Sequence, residues 1–253
     1  MVGAMLSGLS KNLFDDRVTP SDASRFLSDA EDPTTTYETA PLFGNSNPRP
    51  PTETYFDHNL TGTGTLAWYL DPLEVEDAYP AAGRELRRLI GPNPIMAYNP
   101  DVAKRSMLYG ENELLESIDD HEKTHGAQQA KQHIKRIGAR TQFGTLPIGE
   151  MIIEGSVEYA LDRRHTEMSR KGRRVAKAPS RYFDRRMGRS TYGIYREFVY
   201  DLEGLQKGVT RRVFKAAERG GANAVLRTLQ SVKGIDRLIS KYALELTGAS
   251  RLN

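Results

Sequence analysis

The pattern of hydrophobic and polar positions separates a polar N-terminal stretch from a remainder with regular periodicity. From Thr19 to about Gly64 the sequence is rich in Pro, Thr, Ser, Asn and Gly, a composition typical of extended or mobile chain. Within this stretch, residues 21–31 suit one short helix. We therefore place a boundary near residue 62: residues 1–62 form a polar segment, flexible or serving as a prosegment, and residues 63–253 form the folded domain.

The periodicity of the folded part predicts strands early in the chain and helices late. This order favours an α+β fold over alternating βαβ units. The predicted strands cover 65–70, 94–99 and 103–109, and the predicted helices cover 73–90, 111–138, 147–168, 192–205, 210–221, 222–232 and 235–248.

Composition narrows the chemistry that the chain can perform. It has no cysteine, which excludes disulfides, thiolate metal sites and a cysteine nucleophile, so a metal site must use His, Asp and Glu. No apolar run approaches the roughly 18 residues of a membrane-spanning helix. The first residues, MVGAMLSGLSKNLFDD, lack the basic start and cleavage site of a secretory signal. We therefore expect a soluble cytoplasmic protein.

Charge is concentrated in one basic segment, residues 163–189, which carries eleven Lys and Arg against two Asp and Glu. Since the whole chain has a formal net charge of +3, the remainder is mildly acidic. Arginines interleaved with Tyr182 and Phe183 are compatible with binding to nucleic acid or to an anionic surface. A mobile, solvated loop is an equally good interpretation of the same residues.

The strongest motif is HEKTH, residues 121–125, within the predicted helix 111–138. His121 and His125 are four residues apart, so both imidazoles lie on one helical face and can reach one ion. Glu122 is adjacent and suits a general base that takes a proton from water activated at the metal. The alternative is a solvated helix face, since Glu116, Asp120 and Lys123 are charged.

The predicted helix 147–168 offers a third ligand. Glu154 falls within an apolar stripe that includes Ile153 and Val157, where a carboxylate is costly unless a cation or hydrogen-bond donors satisfy it. A zinc ion held by two histidines supplies such a cation, and a salt bridge to an arginine is the alternative. Glu158, one turn further on, suits a hydrogen bond to a ligating imidazole. Glu150 shares the face and is the rival ligand.

Together, HEKTH and the later segment IIEGSVEYAL resemble the gluzincin zinc metallopeptidases, over residues 118–161. The resemblance implies a zincin-like α+β fold, with a small mixed sheet over the HExxH helix and a mostly helical C-terminal part. It also implies that zinc is bound by His121, His125 and Glu154. Glu122 then corresponds to the general base, and Glu158 to the acidic residue behind the ligands.

Gluzincins often use a tyrosine or histidine to stabilise the oxyanion, and Tyr192 and Tyr195 are the nearest matches, although both also suit a helix core. The predicted function is zinc-dependent hydrolysis of peptides or proteins. One departure is the charge at Asp119, Asp120 and Lys123, which either faces solvent or marks a non-catalytic relative. The alternative function is therefore binding of nucleic acid or an anionic surface, through residues 163–189, on a zincin-derived scaffold.

Overall fold

The computed structural model describes residues 32–61, 65–101, 112–142 and 144–249. In these ranges, helices greatly outnumber strands. The strands are β1 (Glu53–Phe56), β2 (Ala67–Leu70), β3 (Ile95–Tyr98), β4 (Ala139–Thr141) and β5 (Gly144–Leu146). The helices are α1 (Thr34–Phe43), α2 (Pro72–Ala78), α3 (Pro80–Ile90), α4 (Asn112–His125), α5 (Lys131–Lys135), α6 (Ile148–Arg170), α7 (Pro179–Met187), α8 (Thr191–Leu205), α9 (Val209–Gln230) and α10 (Ile235–Ala249).

A three-stranded mixed sheet lies against helix α4, which carries the HEKTH motif. The strand order is β1-β3-β2, with β1 parallel and β2 antiparallel to the central β3. Met96 and Tyr98 of β3 pack with Ala67 of β2 and Ile118 of α4 in one buried cluster. The predictions of an α+β fold, of strands near 65–70 and 94–99, and of a small mixed sheet next to this helix are confirmed.

The N-terminal part of the described chain is more ordered than its composition predicts. Helix α1 begins after Asp32, whose carboxylate accepts a hydrogen bond from the Thr34 amide, and ends at Gly44 in the left-handed conformation. Strand β1 pairs with β3, although it precedes the predicted boundary near residue 62. The interpretation of these residues as extended or mobile chain is therefore wrong for the helix α1, whereas β1 is extended and is paired in the sheet.

Two predicted helices are each divided in the structure. The helix expected over 73–90 breaks at Tyr79, because Pro80 has no amide hydrogen and forces the preceding residue out of the helical region. The helix expected over 111–138 ends at His125, and the chain resumes as α5 after Ala130, which has a left-handed backbone. The second break lies next to the site, since Gln128, in the loop between α4 and α5, contacts His125.

Helices α6 and α8 form the centre of the main core, and they cross closely at Gly155. A Cβ atom there would clash with the carbonyl oxygen of Tyr195, so the position requires glycine. The close crossing of the two helices therefore depends on Gly155. The C-terminal helices also follow the prediction, with non-helical Gly220 and Gly221 dividing α9 where two helices were expected.

Three further features complete the comparison. Strands β4 and β5 form an antiparallel hairpin that the periodicity did not predict. The predicted strand 103–109 and the predicted helix 21–31 lie outside the described residues. Within the described ranges, no helix combines the length and apolar character needed to cross a membrane.

Candidate metal centre

His121 and His125 project from the last turn and a half of α4 into the interface with α6. Their rings lie 5.1 Å apart between centroids, as expected for side chains one helical turn apart. Both residues are buried, with 5% and 8% of their surface exposed. The interpretation of this motif as a solvated helix face is therefore wrong.

Glu154 of α6 points between the two imidazoles. Its Oε2 lies 3.2 Å from Nε2 of His121 and 3.4 Å from Nε2 of His125. Among the described residues, no arginine forms an ion pair with Glu154, so the alternative of a buried arginine salt bridge does not hold. The placement expected of this carboxylate from the apolar stripe is confirmed.

A hydrogen-bond partner behind each imidazole orients its Nε2 toward Glu154. On His121, Nδ1 lies 3.0 Å from Oε1 of the fully buried Glu158. The other oxygen of Glu158 accepts a hydrogen bond from the Ser180 amide at 3.1 Å. Since a carboxylate accepts hydrogen bonds, Nδ1 of His121 carries the hydrogen and Nε2 is left to face Glu154.

Gln128 performs the same task for His125. The Gln128 amide nitrogen donates to the Ile153 carbonyl at 2.8 Å and to the Ser156 hydroxyl at 2.9 Å, so its oxygen is the acceptor that faces His125. That oxygen lies 2.8 Å from Nδ1 of His125. His125 therefore carries its hydrogen on Nδ1, and its Nε2 lone pair is directed at the same point as that of His121.

The carboxylates of Glu154 and Glu158 set the electrostatics of this interface. Burial opposes protonation of His121, but hydrogen bonds to Glu154 and Glu158 outweigh burial and raise the pKa of His121 well above its ordinary value. Burial likewise raises the pKa of Glu154, and the charges and hydrogen bonds of His125 and His121 overcome it and lower that pKa well below its usual range. The two carboxylates therefore stabilise a positive charge on His121.

The donor set fits zinc. Ligand atoms from His121, His125 and Glu154 all lie within 4.8 Å of one another, and two imidazole nitrogens with one carboxylate oxygen form a set that zinc accepts with a further position left open. Glu150, the rival ligand, is exposed and lies outside this group. No described cysteine or further histidine competes for the same point.

A cleft of about 450 Å³ opens beside the three residues and is lined by Glu122, His125 and Glu154. Strand β2 provides the opposite wall through Trp68 and Tyr69. The cleft therefore gives a ligand access to the point where the two imidazoles converge, and brings it next to the carboxylate of Glu122.

The structure distinguishes the two candidate tyrosines of α8. Tyr192 lines the cleft, is 40% exposed and packs edge-on against His121, with 5.5 Å between ring centroids. Tyr195 is buried in the main core. Burial, together with the charges of Glu154 and Glu122, raises the pKa of Tyr192 well above its ordinary value. Tyr192 therefore keeps its phenolic proton at neutral pH and is a hydrogen-bond donor.

The charged residues around the motif are mostly buried, which contradicts the first of their two interpretations, a position that faces solvent. Lys123 is 4% exposed, and its ammonium group lies 2.7 Å from Asp119, which also accepts a hydrogen bond from Tyr98. Asp120 pairs with Arg164 at 2.8 Å and accepts a hydrogen bond from Thr35. These charges join α4 to β3, α6 and α1, so they have a structural role.

Most cations of the basic segment are paired with acidic groups. The pairs join Arg164 to Glu38 and Asp120, Lys171 to Glu167, Arg173 to Glu38, Arg174 to Glu113, Arg181 to Asp162, and Arg189 to Glu197 and Glu245. Much of the segment is helical, at the end of α6 and in α7, so it is not one long loop. Its charge is therefore largely used inside the protein.

Comparisons of the chain with protein-family models, with curated proteins and with solved structures found no match. The geometry of the site is therefore the basis for a functional assignment.

The sequence pattern did not predict two residues that support the imidazoles, Gln128 and Ser180. Gln128 lies three residues after His125 in a stretch that was predicted as continuous helix, a spacing that permits a contact between the two side chains, but the motif gave it no role. Ser180 lies at the start of α7 and supplies a backbone amide, which carries no signal in the side-chain sequence. A glutamine just after the motif was the one available sign.

Proposed function

We propose that the protein is a zinc-dependent peptidase of the gluzincin kind. The observation that carries this proposal is the convergence of two Nε2 atoms and one carboxylate oxygen at a single point, with each imidazole oriented from behind by a buried acceptor. Such oriented imidazoles are the usual companions of a zinc site. The adjacent cleft and the position of Glu122 support hydrolysis as the function.

The chain's own residues divide the work of hydrolysis. His121, His125 and Glu154 would hold the zinc, and Glu158 and Gln128 keep the imidazoles in the binding tautomer. Zinc, when bound, would polarise the scissile carbonyl and make a water molecule more acidic. Glu122 lines the cleft, where it can take a proton from the attacking water and pass it to the leaving amine.

Strand β2 is the best candidate for positioning an extended substrate. Among the described strands it pairs with β3 alone, so its other edge is a template for a further strand. Trp68, Tyr69 and Leu70 of this strand line the cleft. A peptide that pairs with β2 would run along the cleft past Glu122 and His125. The strand predicted at 103–109 lies outside the described residues.

Zinc-dependent cleavage of a peptide mixture tests the proposal. We expect the zinc-loaded protein to cleave unfolded polypeptide, measured as new termini by mass spectrometry. Cleavage should stop after treatment with a strong chelator and return with one equivalent of zinc, because the proposed chemistry needs the ion. Cleavage that persists in the chelated protein would contradict the proposal.

Tyr192→Phe tests the role of the cleft tyrosine. We expect kcat to fall by about a hundredfold with KM nearly unchanged, since removing one hydrogen-bond donor to a developing oxyanion typically has an effect of that size. Tyr195→Phe is the matched control, because Tyr195 lies in the core of the same helix, and it should retain nearly normal kcat. Equal losses in both variants would exclude Tyr192 as the donor.

Zinc binding should release protons. His121 is protonated at neutral pH in the metal-free protein because its pKa is raised, and zinc binds the neutral imidazole. Binding should therefore release about one proton per zinc, and affinity should rise about tenfold for each pH unit below that raised pKa. Calorimetric titration in buffers with different protonation enthalpies measures the number released. Zero release near neutral pH would show that His121 is neutral before binding.

A further inference from the structure

Two cations of the basic segment lack an acidic partner and meet in one place. Lys177, in the loop before α7, and Arg185, on α7, form no ion pair with a described residue. Both line a cleft of about 260 Å³. These two charges meet in this cleft, which we call the basic cleft and define by Lys177, Arg185, Arg181, His165, Thr166 and Tyr200.

Three helices and an anchored loop build the basic cleft. Arg181 and Arg185 are four residues apart on α7, so they share a helical face. His165 comes from α6, and Tyr200 comes from α8. The backbone of Lys177 is fixed because its carbonyl oxygen accepts a hydrogen bond from Ser117 of α4 at 2.5 Å.

One carboxylate lines the basic cleft, and its charge is already neutralised. Asp162 is 7% exposed and pairs with Arg181 at 2.5 Å. Arg196 lies behind it, with Nε 3.8 Å from the same oxygen, and the Tyr200 hydroxyl lies 3.3 Å away. Asp162 therefore orients Arg181 without cancelling Lys177 and Arg185. The formal charge of the lining side chains, with His165 neutral, is positive by two.

We propose that the basic cleft binds the phosphate group of a small soluble molecule. A phosphate monoester carries about −1.5 to −2 charges at neutral pH and accepts hydrogen bonds on three oxygens. The lining groups match it in sign and supply guanidinium, ammonium, imidazole and hydroxyl donors from different sides. The volume suits one phosphate with a small organic group, whereas a polymer would use a longer basic surface.

Titration with inorganic phosphate tests this site directly. We expect saturable binding of one phosphate per chain, detected by calorimetry at low ionic strength. Lys177→Gln and Arg185→Gln should each weaken binding about tenfold or more, because each removes one of the two unpaired charges. Arg170→Gln is the matched control: Arg170 belongs to the same segment, is exposed and lies outside the basic cleft, so this variant should bind as the wild type does.

The same titration gives results that overturn the proposal. Absence of saturable binding excludes the site, and equal weakening in Arg170→Gln shows diffuse attraction to a basic surface. Unchanged thermal unfolding and zinc content in Lys177→Gln and Arg185→Gln would separate a lost site from a damaged fold.

Two further probes identify the source of the phosphate. We expect phenyl phosphate to bind more tightly than inorganic phosphate, and both cleft variants to lose that binding. Preference for phosphatidic acid vesicles, or for a single-stranded oligonucleotide at equal phosphate concentration, would overturn assignment to a small soluble molecule. Vesicle or oligonucleotide binding that survives both variants would overturn the basic cleft itself.

Discussion

Replacing Glu122 with glutamine should abolish nearly all hydrolysis while leaving zinc bound. The amide has the size of the carboxylate but cannot accept a proton, so kcat should fall by about a hundred- to ten-thousandfold, the range typical of a lost general base. Zinc should stay at the wild-type content because Glu122 is outside the group of His121, His125 and Glu154. Rates of peptide cleavage and metal analysis of the same preparation measure the two quantities.

Glu150→Gln is the matched control for this variant. Glu150 lines the same cleft and carries the same charge, but it is exposed near the start of α6. We expect its replacement to change kcat by less than about threefold, as for a cleft carboxylate with no role in proton transfer. If Glu122→Gln keeps the wild-type rate, or if Glu150→Gln is equally impaired, Glu122 is not the base.

Replacing Glu154 with alanine should remove most of the zinc. Its oxygen is the one carboxylate atom that faces both Nε2 atoms, and without it two imidazoles alone must hold the ion. Glu158→Ala should weaken zinc binding by about ten- to a hundredfold, since it loses the acceptor behind His121 and not a ligand. Competition with a chelator of known affinity measures each change.

Glu150→Ala completes this series because Glu150, Glu154 and Glu158 lie at intervals of four on α6. The exposed Glu150 should leave zinc affinity unchanged. The predicted order of loss is therefore Glu154, then Glu158, then none for Glu150. Wild-type affinity in Glu154→Ala would contradict the assignment of the third ligand, and the largest loss in Glu150→Ala would move that role to the rival residue.

The convergence of His121, His125 and Glu154 was predictable because it follows from helix geometry and from the hydrophobic pattern. A spacing of four puts His121 and His125 on one face, and a glutamate inside an apolar stripe must find a partner. Gly155 lies where α6 and α8 cross closely, and this approach is possible because glycine has no side chain. Each of these features depends on residues that are close together in the chain, so a single sequence contains it.

Helix α1 was not predictable from the hydrophobic pattern, because several of its buried residues are polar. Helix α1 buries Thr35, Thr36 and Thr39, which count as polar in any pattern of hydrophobicity. Their hydroxyls find acceptors within the fold; that of Thr36, for example, donates to the Lys123 carbonyl. Whether a threonine is buried depends on a partner that is distant in the chain, and the pattern contains no information on it.

Long-range contacts also determine whether the charged residues of the motif are buried and which of the two tyrosines faces the cleft. Lys123 and Asp119 neutralise each other beneath the sheet, whereas each alone indicates a solvent-facing position. Tyr192 and Tyr195 both lie on α8, and periodicity could not determine which one faces the cleft. Gln128 lies just beyond the end of α4 at His125, where Gly126 is a local helix-end signal that the prediction of one continuous helix did not use.

Metal analysis of protein purified without added zinc tests the central claim most directly. We predict about one zinc per chain in the wild type, or uptake of one equivalent after dialysis against zinc, and close to none in His121→Ala combined with His125→Ala. The double variant should otherwise keep the helical circular dichroism of the wild type, so loss of metal can be separated from loss of fold. A wild-type chain that takes up no zinc, or a double variant that retains it, would contradict the assignment of a metal centre to His121, His125 and Glu154.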